Sequence, residues 1–256
     1  MMNVLPIFKK ELRSYFASPI AYVVLTIFAL LSGYFFYSLL TFFSLNSLQA
    51  SFNPAFSQGL NASEWIVRPL LRNIAVTMLL LMPAATMRLF SEEKKSGTIE
   101  LLFTYPIRDW ELLLGKFLAA LALYAAMLGI SLLQLLMLRL FAPLEWGPIL
   151  SGYLGLLLLG MAFLGLGILA SSLTENQIVA AVGAFGVLLL LWVIGWSTEA
   201  AGPTLGPILS HLSIINHYES FAKGIIESKD VIFYLNFTIL CLFLTLRSME
   251  SKRWRG

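Results

Sequence analysis

Apolar residues in this chain come in long runs rather than in the alternation expected of a water-soluble protein. No charged residue occurs between Arg13 and Glu64, and the apolar run at residues 20–43 is long enough to cross about 30 Å of hydrocarbon as a helix. That run lacks a small-residue cleavage site, so it is expected to stay in the mature chain rather than serve as a signal. A second span is predicted at residues 70–90. Only 15 uncharged residues separate Arg72 from Arg88, but both arginines can snorkel to the interfaces, and Pro83 predicts a kink. Further spans are predicted at 117–138, 150–172 and 178–196. A sixth, at 231–246, is short unless Tyr234 and Arg247 lie at the two interfaces.

Composition agrees with this pattern. With 59% hydrophobic and 12% charged residues and a mean hydropathy of +0.83, a water-soluble globule is excluded. The chain is an all-α polytopic membrane protein whose single transmembrane domain fills residues 1–256, with no soluble module and no internal repeat. Six spans return both termini to one side. Counting Lys and Arg by side gives twelve with the termini and five opposite, which puts both termini in the cytoplasm. The net charge of +3 does not point to nucleic acid, because the basic residues sit at the ends of apolar runs, where lipid headgroups would meet them. Cys241, the one cysteine, lies in an apolar run and is expected to pack.

Catalytic chemistry is absent from the motifs. No glycine-rich loop ends in Gly-Lys-Ser/Thr, so the chain binds no nucleotide in that fashion. His211 and His217 are six apart, the wrong spacing for two ligands on one helical face, and no metal site is expected. Glu92-Glu93 has no partner for protease chemistry, and no G-x-S-x-G occurs. Acidic residues are missing from all six span cores, which argues against an ion-coupled secondary transporter. Thr77, Gln134 and Ser131 are the polar groups expected within the membrane, too few for a hydrophilic pathway.

Three segments outside the spans have a readable design. In the second loop, residues 88–95 continue the second helix into water with Lys94 and Lys95 against its negative end. Gly97 ends it in a left-handed cap, and Thr98 can cap a short helix holding Ile99, Glu100, Leu101, Leu102 and Phe103. Tyr105-Pro106 breaks that piece, and Asp109 restarts the chain as a cap. The apolar surface at 99–103 suits either headgroups or a partner, and the residues alone leave both open. At the N-terminus, Leu5, Phe8, Leu12, Tyr15 and Phe16 share one helical face, with Lys10, Glu11, Arg13 and Ser14 opposite and Ile7 out of pattern. This predicts an interfacial helix, ended by Ser18-Pro19. Between spans five and six, Gly202-Pro203 and Gly206-Pro207 are expected to break the chain. Tyr218, Phe221, Ala222 and Ile225 then keep the spacing of a short helix re-entering the outer leaflet, while Asn216, His217, Glu219 and Lys223 oppose a full crossing. Small residues crowd span four (Gly152, Gly155, Gly160, Gly165, Gly167, Ser171) and span five (Ala180, Gly183, Ala184, Gly186). They predict close helix approach, within the chain rather than between subunits.

The run SEEKKSGTIELLFTYP at residues 91–106, followed by Gly115-Lys116, resembles the segment after the second span in ABC-2 type permeases, the membrane subunits of ATP-binding cassette transporters. FKKELRSYFASP at 8–19, ASSLTENQ at 170–177 and RSMESKRW at 247–254 resemble the gliding-motility-associated branch, near the nitrous-oxide-reductase maturation permeases. The resemblance covers essentially the whole chain and implies a type V exporter-like half-transporter in a bacterial inner membrane. Two permease chains, identical or different, would pair above two separate ATPase subunits that carry the ATP and Mg, and this chain would hold no cofactor. It implies a cytoplasmic coupling helix at about 96–104, with ATPase-coupling residues Glu92, Glu93, Lys94, Ser96, Gly97, Thr98, Ile99, Glu100, Leu101, Leu102 and Phe103. Leu173, Thr174, Glu175 and Asn176 would form a secondary cytoplasmic contact. Leu5, Phe8, Lys9, Lys10, Leu12 and Arg13 belong to the interfacial helix. Export or membrane extraction is the expected activity. The alternative is ATP-driven movement, or a scaffold, serving a periplasmic or membrane accessory protein without transport.

Overall fold

A computed structural model describes residues 4–52, 61–98, 107–197 and 202–253. Every regular element among them is helical. α1 (Val4–Ala17) leads through a bend at Ser18 into α2 (Pro19–Phe52). A π-helical turn, Ser63–Val67, opens α3 (Arg68–Thr86), which is followed directly by α4 (Arg88–Lys95). α5 (Asp109–Arg139), α6 (Trp146–Leu173) and α7 (Gln177–Val193) follow, then a 3-10 turn at Ile194–Ser197. Two short helices, α8 (Gly202–Leu212) and α9 (Asn216–Ala222), precede α10 (Ser228–Arg253).

Six stretches are long and apolar enough to cross a membrane: Pro19–Ala50, Ser63–Lys95, Asp109–Arg139, Trp146–Leu173, Gln177–Ser197 and Ser228–Ser251. All six predicted spans are present, each longer than its apolar run. The second gains most, because Ser63 and Glu64 start it well before Leu70. The sixth needs no interfacial anchor at Tyr234, which is instead fully buried and donates its hydroxyl to the Ile214 carbonyl at 2.7 Å. Asp109 is not the cap of α5. Arg108 is the extended cap residue, and Glu111 reaches back to its amide at 3.4 Å.

Spans two and four form the centre, with 72% and 67% of their most apolar windows buried, against 17% for span one and 22% for spans five and six. Glycine makes this possible. A Cβ on Gly160 would come within 2.1 Å of the Tyr124 ring, one on Gly155 within 2.5 Å of Phe221, and one on Gly167 within 2.0 Å of the Thr86 hydroxyl. Close approach matters here because lipid supplies no hydrophobic drive for helices to associate. The span-five glycines behave differently: Gly183 and Gly186 have nothing within 4 Å of where a Cβ would stand. The expected intrachain packing holds for span four but not for these two.

Three sequence expectations are corrected on the connecting elements. α1 does not keep Tyr15 on one face with Leu5 and Phe16, and Glu11 on the opposite one. Its buried residues are Ile7, Glu11 and Tyr15, each four apart, so the residue that broke the pattern faces the protein and Glu11 leaves the solvent side. Leu5 and Phe16 are exposed on the flank. Pro207 does not break the chain, since α8 continues through it. Ile225 is not part of the α9 face: Ala222 ends the helix, Gly224 turns the chain at φ +88°, and Ile225 is exposed.

Candidate functional site

On the side of the termini, four helices meet around the end of the second span. The span is interrupted at Met87, between α3 and α4, four residues after Pro83. A helix that restarts leaves its first amides without partners inside its own coil. Here span four supplies one: the Ser171 hydroxyl accepts from the amides of Phe90 and Ser91 at 3.0 and 3.1 Å and donates to the Met87 carbonyl at 2.8 Å. Gly167, one turn earlier, lets Thr86 approach closely enough for this. The predicted Gly167–Ser171 spacing thus marks a bridged break as well as a packing contact.

α4 is also held from its other side by a buried cation. The Lys116 side chain of α5 is 1% exposed and donates to Glu93 Oε1 at 2.7 Å, to the Leu89 carbonyl at 2.8 Å and to Glu11 Oε1 at 3.2 Å. Its ammonium also lies 5.2 Å from the centre of the Phe90 ring. A lysine ammonium has three protons to donate and no acceptor, so this set satisfies it. One side chain therefore joins α1, α4 and α5. Gly115 allows the approach, because any Cβ there would strike Ile7 at 2.6 Å. Next to the cluster, Tyr15 donates to the Ala85 carbonyl at 2.9 Å, and Arg88 donates to the Ser18 hydroxyl at 3.0 Å. Burial, reinforced by Glu11 and opposed by Arg88, holds the Tyr15 hydroxyl well above its ordinary range, so it remains a donor.

Beyond the cluster α4 ends as expected. Lys94 and Lys95 occupy its last turn, Ser96 caps it, and Gly97 takes φ +70°, a conformation that costs an L-residue about 1–2 kcal/mol. The Ser96 hydroxyl donates to the Glu92 carbonyl at 2.9 Å and lies 2.9 Å from the Thr98 hydroxyl. Glu92, Ser96, Gly97 and Thr98 are exposed, whereas Glu93 is turned inward on Lys116 and Lys94 donates to the Ser172 carbonyl. Residues 88–95 therefore do not simply extend into water: Leu89, Phe90 and Ser91 are buried. Ile99, Glu100, Leu101, Leu102 and Phe103 lie outside the described residues.

The second sequence-derived contact segment sits next to this one. Leu173 is exposed, and Asn176 caps α7 by accepting from the amides of Ile178 and Val179 at 2.9 and 3.4 Å. Glu175, Asn176 and Lys95 line one recess of about 530 Å³. On α1, Lys9, Lys10 and Arg13 are exposed while Phe8 and Leu12 are half-buried. Sequence reasoning missed the inward Glu11, the role of Lys116 and the cap by Ser171. The available signal was the Ile7, Glu11, Tyr15 stripe.

The opposite face carries its own buried pair. His217 Nδ1 lies 2.7 Å from Asp230 Oδ1, and Nε2 lies 3.2 Å from the His211 carbonyl, with the ring stacked on Phe233 at 3.9 Å. Arg72 and Glu219 pair nearby at 3.4 Å. Within the membrane, Thr77 bonds to the Asn73 carbonyl, Ser131 to the Leu128 carbonyl and Tyr153, and Gln134 to Ser32. Thr77 and Ser131 are satisfied by their own span or one neighbour, whereas the buried Gln134 Oε1 has no hydrogen-bond partner.

Residues 5–247 match the family model described as ABC-2 family transporter protein. No curated protein matches the chain.

Proposed function

Since the chain belongs to the ABC-2 transporter family and is a membrane permease component of an ATP-binding cassette transporter, we propose that it forms half of a transmembrane unit driven from the side of the termini. A second permease chain, identical or different, pairs with it. Two separate ATPase subunits, holding ATP and Mg, dock at about residues 96–104 and at the turn of residues 173–176. That side is the cytoplasm of a bacterial inner membrane, as the excess of Lys and Arg supports. The motifs at 8–19, 170–177 and 247–254 support the gliding-motility-associated branch.

The observation that carries this reading is the Lys116 cluster. A push on the segment after Gly97 meets α4, and α4 cannot shift alone, because Lys116 ties Glu93 to α5 and α1 while Ser171 ties its first turn to span four. Closure of the ATPase subunits is thereby passed to four helices as one body. The small number of polar groups within the spans, Thr77, Ser131 and Gln134, favours a lipid-like cargo, exported or extracted from the bilayer, over a hydrophilic one. They equally suit a machine that passes movement to a periplasmic or membrane partner.

The test is purification of the tagged chain from its native membrane in mild detergent, with partner identification and ATPase assay. A P-loop ATPase is expected to co-purify. Gly97→Pro, which locks φ near −65° where +70° is required, should leave the chain in the membrane and abolish ATPase-coupled activity. Purification without an ATPase, or full coupling in Gly97→Pro, would overturn the reading.

A further inference from the structure

α1 crosses the first turns of α5 at Gly115, and beside that crossing the two helices leave an open apolar groove of about 670 Å³. Leu5 and Phe8 form one wall, α5 from Trp110 to Ala125 forms the other, and Leu157 of α6 contributes to the lining. The fifteen rises of about 1.5 Å from Trp110 to Ala125 give the groove a length of about 22 Å. Half of a bilayer, headgroups included, is about 20–22 Å thick. The groove therefore starts at the height of the headgroups on the side of the termini and ends near the midplane, alongside a span that lipid surrounds.

The α1 stripe that forms its wall continues into two cations. Leu5, Lys9 and Arg13 follow one another at intervals of four along α1, so the stripe that begins on the apolar wall continues as two exposed positive charges. Lys10 faces Glu11 at 3.6 Å. Glu11, the one acidic residue of α1, is withdrawn onto Lys116, and nothing on the helix offsets Lys9 and Arg13. An apolar slot one leaflet deep, walled by a helix stripe that runs on into two cations, has the chemistry of a phospholipid site.

We propose that the groove between α1 and α5 holds one acyl chain of an anionic bilayer phospholipid, whose phosphate rests on Lys9 and Arg13. The assignment uses only the membrane placement of α5 and is independent of ATPase coupling. A lipid seated there braces α1 against α5 from the side opposite Lys116. The span faces that lie most open, on spans one, five and six, are elsewhere.

The full chain is reconstituted in nanodiscs of phosphatidylcholine containing a trace of phosphatidylglycerol with a mid-chain diazirine, photolysed and mapped by peptide mass spectrometry. Adducts should concentrate on α5 between Leu114 and Ala125, well above those on the more exposed α7, and diazirine-phosphatidylcholine should label α5 less. Ala122→Trp fills the slot and should bring α5 labelling down to that of α7. Ala125→Phe, at an exposed position, does the same if the larger change disturbs folding. Lys9→Gln with Arg13→Gln should abolish the preference for phosphatidylglycerol and leave chain labelling. Even labelling of all exposed spans, or equal labelling by both lipids in the unaltered chain, would overturn the proposal. So would disulfide-linked dimers of Cys241→Ser, Leu118→Cys on oxidation, which would assign the face to a second copy.

Discussion

The two faces of the molecule each bury charge, and they do so in different ways. On the side of the termini, Lys116 faces two carboxylates and a carbonyl drawn from α1 and α4. On the far side, His217 and Asp230 make a short pair that joins α9 to the start of α10 across 13 residues. The first binds parts of the chain 105 residues apart; the second pins a local turn. Taking ions out of water is costly, and a buried ion pair seldom adds stability over apolar packing. What it does add is definition, since the partners must all be in place together. The face proposed to receive a push has the many-membered arrangement, and the far face has the local one.

The largest effect is expected of Lys116→Met, which leaves Glu93 buried without its cation and Glu11 with only Lys10 at 3.6 Å, and should cost about 3–5 kcal/mol. Thermal unfolding in detergent would report it as a large loss. Adding Glu11→Gln and Glu93→Gln to the same chain should recover most of the stability, and failure to recover would mean that Lys116 acts by packing alone. Asp230→Asn removes the charge from the far pair but keeps its shape, and should cost about 1–3 kcal/mol. Because that pair is local, ATPase stimulation should survive; its loss would erase the distinction between the faces. The smallest effect is expected of Ser171→Ala, about 1 kcal/mol by unfolding. Hydrogen exchange at Phe90 and Ser91 sharpens that measurement, since faster exchange should be confined to the restarted helix.

Much of the fold was legible because it rests on local signals. Long apolar runs specify the spans, Ser18-Pro19 the turn into α2, and Gly97 the end of α4, where the structure has its positive φ. The site was legible only in part. An amphipathic pattern separates two faces of α1, but lipid and protein are both apolar partners, so hydrophobicity could not say which face turned inward. Glu11 looked solvent-facing because its counter-charge, Lys116, is remote in sequence. Pro207 looked like a break, yet α8 continues through it. The small residues of span four announced close contact but not that Gly160 receives Tyr124, or that Ser171 serves the break at Met87.

That break bears on the order in which the protein is made. Span two emerges from the ribosome and enters the bilayer well before span four, and its interruption at Met87 waits for a hydroxyl some 80 residues downstream. Until Ser171 arrives, the amides of Phe90 and Ser91 lack its hydroxyl, and α4 is held only from the Lys116 side. A nascent chain stopped after span three should present residues 88–98 to protease, and one extended through span four should protect them. The segment that would meet a motor subunit is thus set only when two-thirds of the chain is in the membrane, so an incomplete permease offers that partner no finished surface.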